Sequence, residues 1–178
     1  MKLYAEPYLQ FLLEFHGTRD YFECHEILEE EWKKEPRPEW QNVWEGLIKI
    51  AVSLYHQRRR NFSGAERLMK KAIKLLRGQP DELRQLGIDQ KELIRMMDKR
   101  LSEIEHDVPY ESMNLPLTDE RLIERCKNLC ERQGFTWCGQ SDLADRMLIH
   151  RHALRDRQEV ISERERQLEL KKDNRQSD

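Results

Sequence analysis

The hydrophobic residues of this chain recur every three or four positions, which is the spacing of one face of an α-helix. Glycines, prolines and residues that favour helix N-caps interrupt the pattern, and few segments alternate with the period of two that is typical of strands. We therefore predict an all-α protein. The predicted helices span residues 4–15, 20–34, 39–59, 63–77, 89–105, 118–133 and 141–170, with a short helical turn after Pro80. Four of them open with a predicted cap: a capping box at Ser63, a similar box at Asp89, and caps at Thr118-Asp119 and Ser141-Asp142.

The third predicted helix has the widest apolar surface in the chain. When its residues are placed 100° apart around the axis, roughly two-thirds of the circumference is apolar. Such a helix needs other helices around it, and we expect Trp44, Leu47 and Leu54 to be almost fully buried. The expected fold is a compact helical bundle with one central helix ringed by others, plus a C-terminal helical hairpin or arm. Glu45, Lys49 and His56 form the polar stripe of the third helix, with the small residues Gly46 and Ser53 beside it.

Two prolines, Pro109 and Pro116, interrupt the helical pattern and suggest a division of the chain. We assign residues 1–106 to a helical bundle core and residues 107–117 to a linker or extended arm. Residues 118–170 form a predicted C-terminal helical extension, which ends in a disordered tail over residues 171–178.

The charge balance limits the classes of partner. The chain has 32 Lys+Arg against 34 Asp+Glu, a formal net charge of −2, so we do not expect nucleic acid or an anionic membrane as a partner. No apolar run approaches the ~20 residues that cross a bilayer, and the N-terminus lacks the pattern of a signal peptide. We therefore expect a cytoplasmic protein.

The second predicted helix carries ionisable groups inside an apolar arc made of Tyr21, Phe22, Cys24, Leu28 and Trp32. His25 and Glu29 are four residues apart, so they face the same way and can touch. Ionisable groups in such an arc need partners, and Glu45, Lys49 or His56 of the third helix can supply them.

Two interpretations of this cluster stay open. In the first, His25 and Glu29 form a structural network that fixes the register of the helices. In the second, they line a pocket for a divalent metal ion or a small anion, because clustered histidine and glutamate suit divalent ions. His25, Glu29 and His56 are the expected metal ligands. The segment resembles the H-E-x-x-H helix of zinc proteases, but Glu29 stands where the second histidine must be.

Residues 25–32 read His-Glu-Ile-Leu-Glu-Glu-Glu-Trp, and a Trp-Glu-Gly-Leu-Ile-Lys-Ile-Ala segment follows at residues 44–51. Together with Tyr55-His56 and the segment 61–65, they resemble the bacterial family catalogued as domain of unknown function 309, over roughly residues 8–77. The resemblance implies a compact bundle with a central helix, and it implies no established activity. It places the polar pattern of the family on His25, Glu26, Glu29, Trp32, Lys49, His56, Asn61 and Gly64, although the family often has glutamine at the position of Lys49.

The C-terminal part offers two further hypotheses. Cys126, Cys130 and Cys138 could bind zinc together with His150 or His152, although their spacing is unlike that of common zinc modules. Alternatively, the cysteines are small apolar residues beneath a helix hairpin. A one-residue-wide heptad seam in the last predicted helix could support a homodimer, and its positions are Met147, Leu154, Ile161 and Leu168.

Three functions remain open from the sequence. The leading hypothesis is a non-catalytic ligand-binding or interaction module with a pocket near His25, Glu29 and His56. A metal-dependent hydrolase that uses the same cluster is the second, and a homodimeric scaffold that associates through the last helix is the third.

Overall fold

The computed structural model describes residues 4–151 and 153. These residues form eight α-helices and no strand, which confirms the predicted all-α class. An isolated antiparallel bridge joins Ile88 and Leu117. None of the described helices is long and apolar enough to cross a lipid bilayer. The helices are α1 (Glu6–Leu13), α2 (Tyr21–Lys34), α3 (Pro38–Arg58), α4 (Phe62–Arg77), α5 (Pro80–Gln85), α6 (Gln90–Glu105), α7 (Glu120–Arg132) and α8 (Arg146–Ile149).

The chain divides into two compact units, Met1–Leu143 and Ala144–Asp178. The first unit contains α1 to α7, and the second contains the short helix α8. The prediction that Ser141 and Asp142 cap the last helix is wrong, because Asp145 caps α8 instead and accepts hydrogen bonds from the backbone N–H groups of Met147 and Leu148 at 3.0 and 3.1 Å. Most of the predicted heptad seam and the tail 171–178 lie outside the described residues.

Helix α3 is buried along most of its length, as its wide apolar surface predicts. Trp44 is 8% exposed, and Leu47 and Leu54 are fully buried, which confirms the expected burial. Helices α2 and α4 pack along α3, α5 contacts it as well, and α1 reaches it where the rings of Tyr8 and Trp44 lie 6.2 Å apart.

The small residues of α3 let α4 approach it closely. A Cβ atom added to Gly46 would overlap the side chain of Leu76 on α4. About two turns further along α3, the Ser53 hydroxyl donates a hydrogen bond to the carbonyl of Ala65 at 2.7 Å. A bulky residue at either position would therefore push the two helices apart.

The start of α4 differs from the prediction by two residues. Ser63 was expected to open a capping box, whereas Asn61 is the N-cap, and its side-chain oxygen accepts from the backbone N–H of Gly64 at 3.1 Å. The left-handed backbone of Arg60, with φ of 63°, reverses the chain directly before this cap. The cap position therefore follows from where α3 ends rather than from the local pattern.

Helix α1 also ends differently from the prediction. It continues into a π-helical turn over Glu14–Thr18, and Arg19 then takes a left-handed conformation with φ of 58°. Such π-helical turns shift the following side chains from the regular α-helical spacing, and they occur frequently at functional sites. Here the turn directs the side chains of His16 and Arg19 into the protein, where both are 1% exposed.

The segment 107–117, predicted to be a linker or extended arm, contains no helix. Three of its apolar side chains, Tyr110, Met113 and Leu115, are buried in the hydrophobic core. This segment therefore contributes core surface to the first unit.

Candidate functional site

Helix α2 places the predicted ionisable cluster at the protein surface. Its N-cap, Asp20, accepts a hydrogen bond from the backbone N–H of Glu23 at 3.0 Å, which fixes the start and therefore the register of the helix. The buried face of α2 consists of Tyr21, Cys24 and Leu28.

The predicted arc on α2 was too wide. Phe22 and Trp32 are partly exposed rather than buried, so the buried face is narrower than the hydrophobic pattern suggests. His25 and Glu29 therefore lie at the edge of the buried face, and each keeps about a third of its side chain exposed, at 33% and 32%.

His25, Glu26 and Glu29 form one compact group. A ligand atom from each of the three lies within 4.8 Å of the others. Nδ1 of His25 lies 3.2 Å from a carboxylate oxygen of Glu26, and Nε2 lies 3.8 Å from a carboxylate oxygen of Glu29. The imidazole thus has a carboxylate near each of its two nitrogens.

Lys33 also contacts this cluster. Its Nζ atom lies 2.9 Å from the other carboxylate oxygen of Glu29. The hydrogen bond from Lys33 lowers the pKa of Glu29, opposed by partial burial and aided by the positive charge that His25 can carry. Because Lys33 is 64% exposed, this ion pair adds little stability, and Lys33 can move away from Glu29 at small cost.

An acidic groove runs beside the cluster, between α1 and α2. It encloses about 330 Å³, and Glu26 belongs both to this groove and to the His–Glu group. Acidic side chains along a groove raise the local concentration of cations. The glutamates that line it are Glu6, Glu23, Glu26, Glu30 and Glu31.

The other predicted site residues have partners elsewhere on α3 and α4. Lys49 forms an ion pair with Glu45 at 2.9 Å, one turn away on the same helix. The amide nitrogen of Asn61 lies 3.0 Å from Nδ1 of His56, while its oxygen caps α4. The structure thus brings His25, Glu26 and Glu29 together in one group, and it pairs His56 with Asn61 and Lys49 with Glu45.

The cysteines of the first unit have environments that favour the neutral thiol. Cys126 and Cys130 are buried, and burial raises their pKa values to about 12 and about 11. The pKa of Cys138 is raised as well, again through burial. Burial therefore favours the neutral thiol, whereas a metal ion binds the thiolate. His150 belongs to the second unit, and His152 lies outside the described residues.

A buried arginine–tyrosine network, which the sequence pattern was not used to predict, lies behind α2. The guanidinium of Arg58 lies 4.7 Å from the ring of Tyr21 and 5.6 Å from that of Tyr110, and the two tyrosine hydroxyls share a hydrogen bond at 2.5 Å. Arg58 follows Leu54 and Tyr55 on the apolar side of α3, a spacing that could have indicated its burial.

Comparisons with known proteins agree with the resemblance seen in the sequence. Residues 8–68 match the family described as "Domain of unknown function (DUF309)". The chain is 44% identical over 173 residues to the "Uncharacterized protein YpuF" of Bacillus subtilis (strain 168), which covers 97% of this chain and 99% of that protein. No solved structure matches the chain significantly. Because residues 8–68 match the family model and the similarity to the bacterial relative extends over nearly the whole of both proteins, this chain belongs to the family of domain of unknown function 309.

Proposed function

We propose that this protein is a non-catalytic binding module for a divalent metal ion, held by His25, Glu26 and Glu29. The observation that carries the proposal is the close grouping of one imidazole and two carboxylates on a half-exposed helix face. Metal ligands in proteins lie about 2.0–2.2 Å from the ion, so small rotations of these side chains suffice to bring them around one centre.

The ligand types indicate which ions fit. Carboxylates suit Mn²⁺, Mg²⁺ and Ca²⁺, whereas imidazole suits Zn²⁺, Fe²⁺ and Ni²⁺. A mixed set of one nitrogen and two oxygens therefore favours a first-row transition metal such as Mn²⁺ or Zn²⁺. The acidic groove beside Glu26 adds a negative potential that attracts cations to this face of α2.

Binding requires a change in the arrangement around His25. Its two nitrogens now face different carboxylates, and a single metal ion takes only one of them. One carboxylate must therefore rotate slightly toward the nitrogen that the other already faces, since one ligand atom of each residue already lies within 4.8 Å of the others. Lys33 must also release Glu29, and the exposure of Lys33 makes this inexpensive.

The matched test is titration calorimetry with Mn²⁺ and Zn²⁺ on protein prepared without an affinity tag. We expect Glu29→Gln and His25→Asn to weaken binding by at least about tenfold, because each removes a ligand. His106→Asn is the control, since His106 is exposed and outside the group. A His56→Asn variant tests whether His56 contributes. Should Glu29→Gln lose stability while the wild type binds neither ion, the cluster is structural and the proposal fails.

The second candidate is a metal-dependent hydrolase that uses the same three side chains. The observation in its favour is their exposure, because ligands that remain open to solvent leave coordination positions for a water molecule. Metal-loaded protein would then hydrolyse simple phosphate and carboxylate esters, and Glu29→Gln would abolish the reaction. Metal binding without turnover supports the non-catalytic module.

A further inference from the structure

A second groove lies between α3 and α4, and it differs in charge from the acidic groove between α1 and α2. It encloses about 490 Å³. Lys49 reaches it from α3, and Lys71 and Lys74 reach it from α4. Glu45 is the acidic residue that lines it, and Asn42 and Leu75 add an amide and an apolar surface.

The helix geometry explains why three lysines meet here. Lys71 and Lys74 are three residues apart, so they share one face of α4. Asn42, Glu45 and Lys49 follow at spacings of three and four on α3 and share a face in the same way. Because Gly46 lets α4 approach α3 closely, these two polar faces border one groove.

The positive charges of this groove are only partly compensated. Glu45 pairs with Lys49 at 2.9 Å. Lys71 and Lys74 form no ion pair or hydrogen bond with any residue that the structure describes. The neighbouring Lys70, by contrast, contacts both Glu66 and Glu105. The groove therefore carries two positive charges in excess, although the whole chain has a formal net charge of −2.

The residue types define the class of ligand that fits. Lysine ammonium groups are compact charges with three donors each, and they favour small anions of high charge over single carboxylates. A phosphate group offers several acceptor oxygens to the lysines and to the Asn42 amide. The half-buried side chain of Leu75 provides apolar contact for the organic part of a ligand.

We propose that the groove between α3 and α4 binds a small phosphorylated molecule, with Lys49, Lys71 and Lys74 contacting its phosphate groups. This site is separate from the His25–Glu26–Glu29 group, and the two are tested independently. No side chain of the metal-binding group lines the groove, so removal of a metal ligand leaves the anion site intact.

The experiment uses the full chain, freed of metal ions, with pyrophosphate and glycerol 3-phosphate as probes in titration calorimetry. The test variant is Lys71→Gln combined with Lys74→Gln. The control is Lys34→Gln combined with Lys127→Gln, which removes the same charge from exposed positions on other helices. All four positions are exposed helix positions, and glutamine is a good helix former, so both variants should keep the wild-type melting temperature.

We expect the test variant to bind pyrophosphate at least about tenfold more weakly than the wild type, because two attractive charges are lost. The control variant should bind like the wild type at moderate salt. In nuclear magnetic resonance spectra, pyrophosphate should shift the backbone amides of Asn42 and Leu75 and leave that of His25 unchanged. The proposal is overturned if the wild type binds neither probe or if both variants weaken binding equally. A His25→Asn variant should bind pyrophosphate normally, which separates this result from the fate of the metal site.

Discussion

Nε2 of the buried His16 ring accepts a hydrogen bond from the backbone N–H of Leu115 at 3.0 Å. The other ring nitrogen, Nδ1, lies 3.0 Å from the carbonyl of Leu12, so it donates while Nε2 accepts. This arrangement requires a neutral imidazole. Burial, with a smaller contribution from the charge of Arg19, lowers the pKa of His16 to about 3. The ring thus joins α1 to the extended segment that carries Leu115.

The first prediction is that acid weakens the protein through His16. Because the pKa of His16 is lowered on folding, the unfolded chain binds a proton between about pH 6.5 and pH 3 that the folded protein does not. The free energy of unfolding should therefore fall as the pH falls through this range, by up to about 1.4 kcal/mol per pH unit. Urea unfolding at a series of pH values measures this dependence.

Two variants isolate the contribution of His16. His16→Gln should be less stable at neutral pH but should lose less stability on acidification, whereas His106→Gln should keep the wild-type profile. Glu14 has the opposite effect in acid, because burial raises its pKa, and the comparison between variants cancels it. Equal pH profiles for the wild type and His16→Gln would contradict this role.

The second prediction concerns Arg19, whose guanidinium is buried among neutral oxygens. Arg19→Lys should lower the free energy of unfolding by about 2–4 kcal/mol, because one ammonium group cannot replace this fork of donors. The control is Arg84→Lys, at an exposed position, which should change stability by less than about 0.5 kcal/mol. Chemical unfolding measures both. The acceptors of the Arg19 side chain are the carbonyls of Phe15, Met113 and Gly139 and the side-chain oxygen of Asn114.

Arg19→Lys should also loosen the segment that contains Met113. Limited proteolysis of the native protein should then cut near this segment faster than in the wild type. Trp137, whose ring centre lies 4.5 Å from that of His16, provides a fluorescence signal from the same region. An unchanged cleavage rate would show that Arg19 does not hold the segment in place.

The third prediction concerns the core of α3. Leu47→Ala should lower the free energy of unfolding by about 2–5 kcal/mol, because Leu47 is fully buried and its removal leaves a cavity. Leu101→Ala, at a partly exposed position on α6, should have a smaller effect. If the two substitutions cost the same in chemical unfolding, the burial of α3 does not determine the stability of the bundle.

The sequence pattern predicted those features of the structure that depend on interactions between residues close together in the chain. Asp89 and Asp119 cap α6 and α7 as expected, because each carboxylate bonds backbone N–H groups within three residues. His25 and Glu29 lie together for the same reason, since a helix alone brings residues four apart into contact. The spacing of apolar residues likewise predicted the burial of α3.

Contacts between distant parts of the chain could not be predicted in this way. The burial of Arg19 depends on acceptors about 95 and 120 residues further along the chain, and no local pattern indicates them. The partial exposure of Phe22 and Trp32 depends on which helices face α2. The sequence therefore predicted the part of the candidate site that lies on α2. It could not show whether His56 of α3 joins that site, and in the structure His56 contacts Asn61.

The fourth prediction concerns self-association. Met147, Leu154, Ile161 and Leu168 form the predicted heptad seam, and all except Met147 lie outside the described residues. If this seam holds two chains together, truncation after Arg157 should convert a dimer to a monomer in sedimentation equilibrium. A full-length protein that sediments as a monomer would remove the scaffold hypothesis, and so would a truncated protein that remains a dimer.

The fifth prediction concerns the contact between Gly46 and Leu76. Gly46→Ala should lower the free energy of unfolding by about 1–3 kcal/mol, although alanine favours helix formation, because its Cβ would overlap the Leu76 side chain. Leu76→Ala should also destabilise, since it leaves a cavity in the core. The double variant should be more stable than the sum of the two single effects predicts, because the new methyl group fills part of that space. A double-mutant cycle in urea measures this coupling. Additive effects would show that α4 moves aside as a whole, and the lysine groove between α3 and α4 would then widen as well.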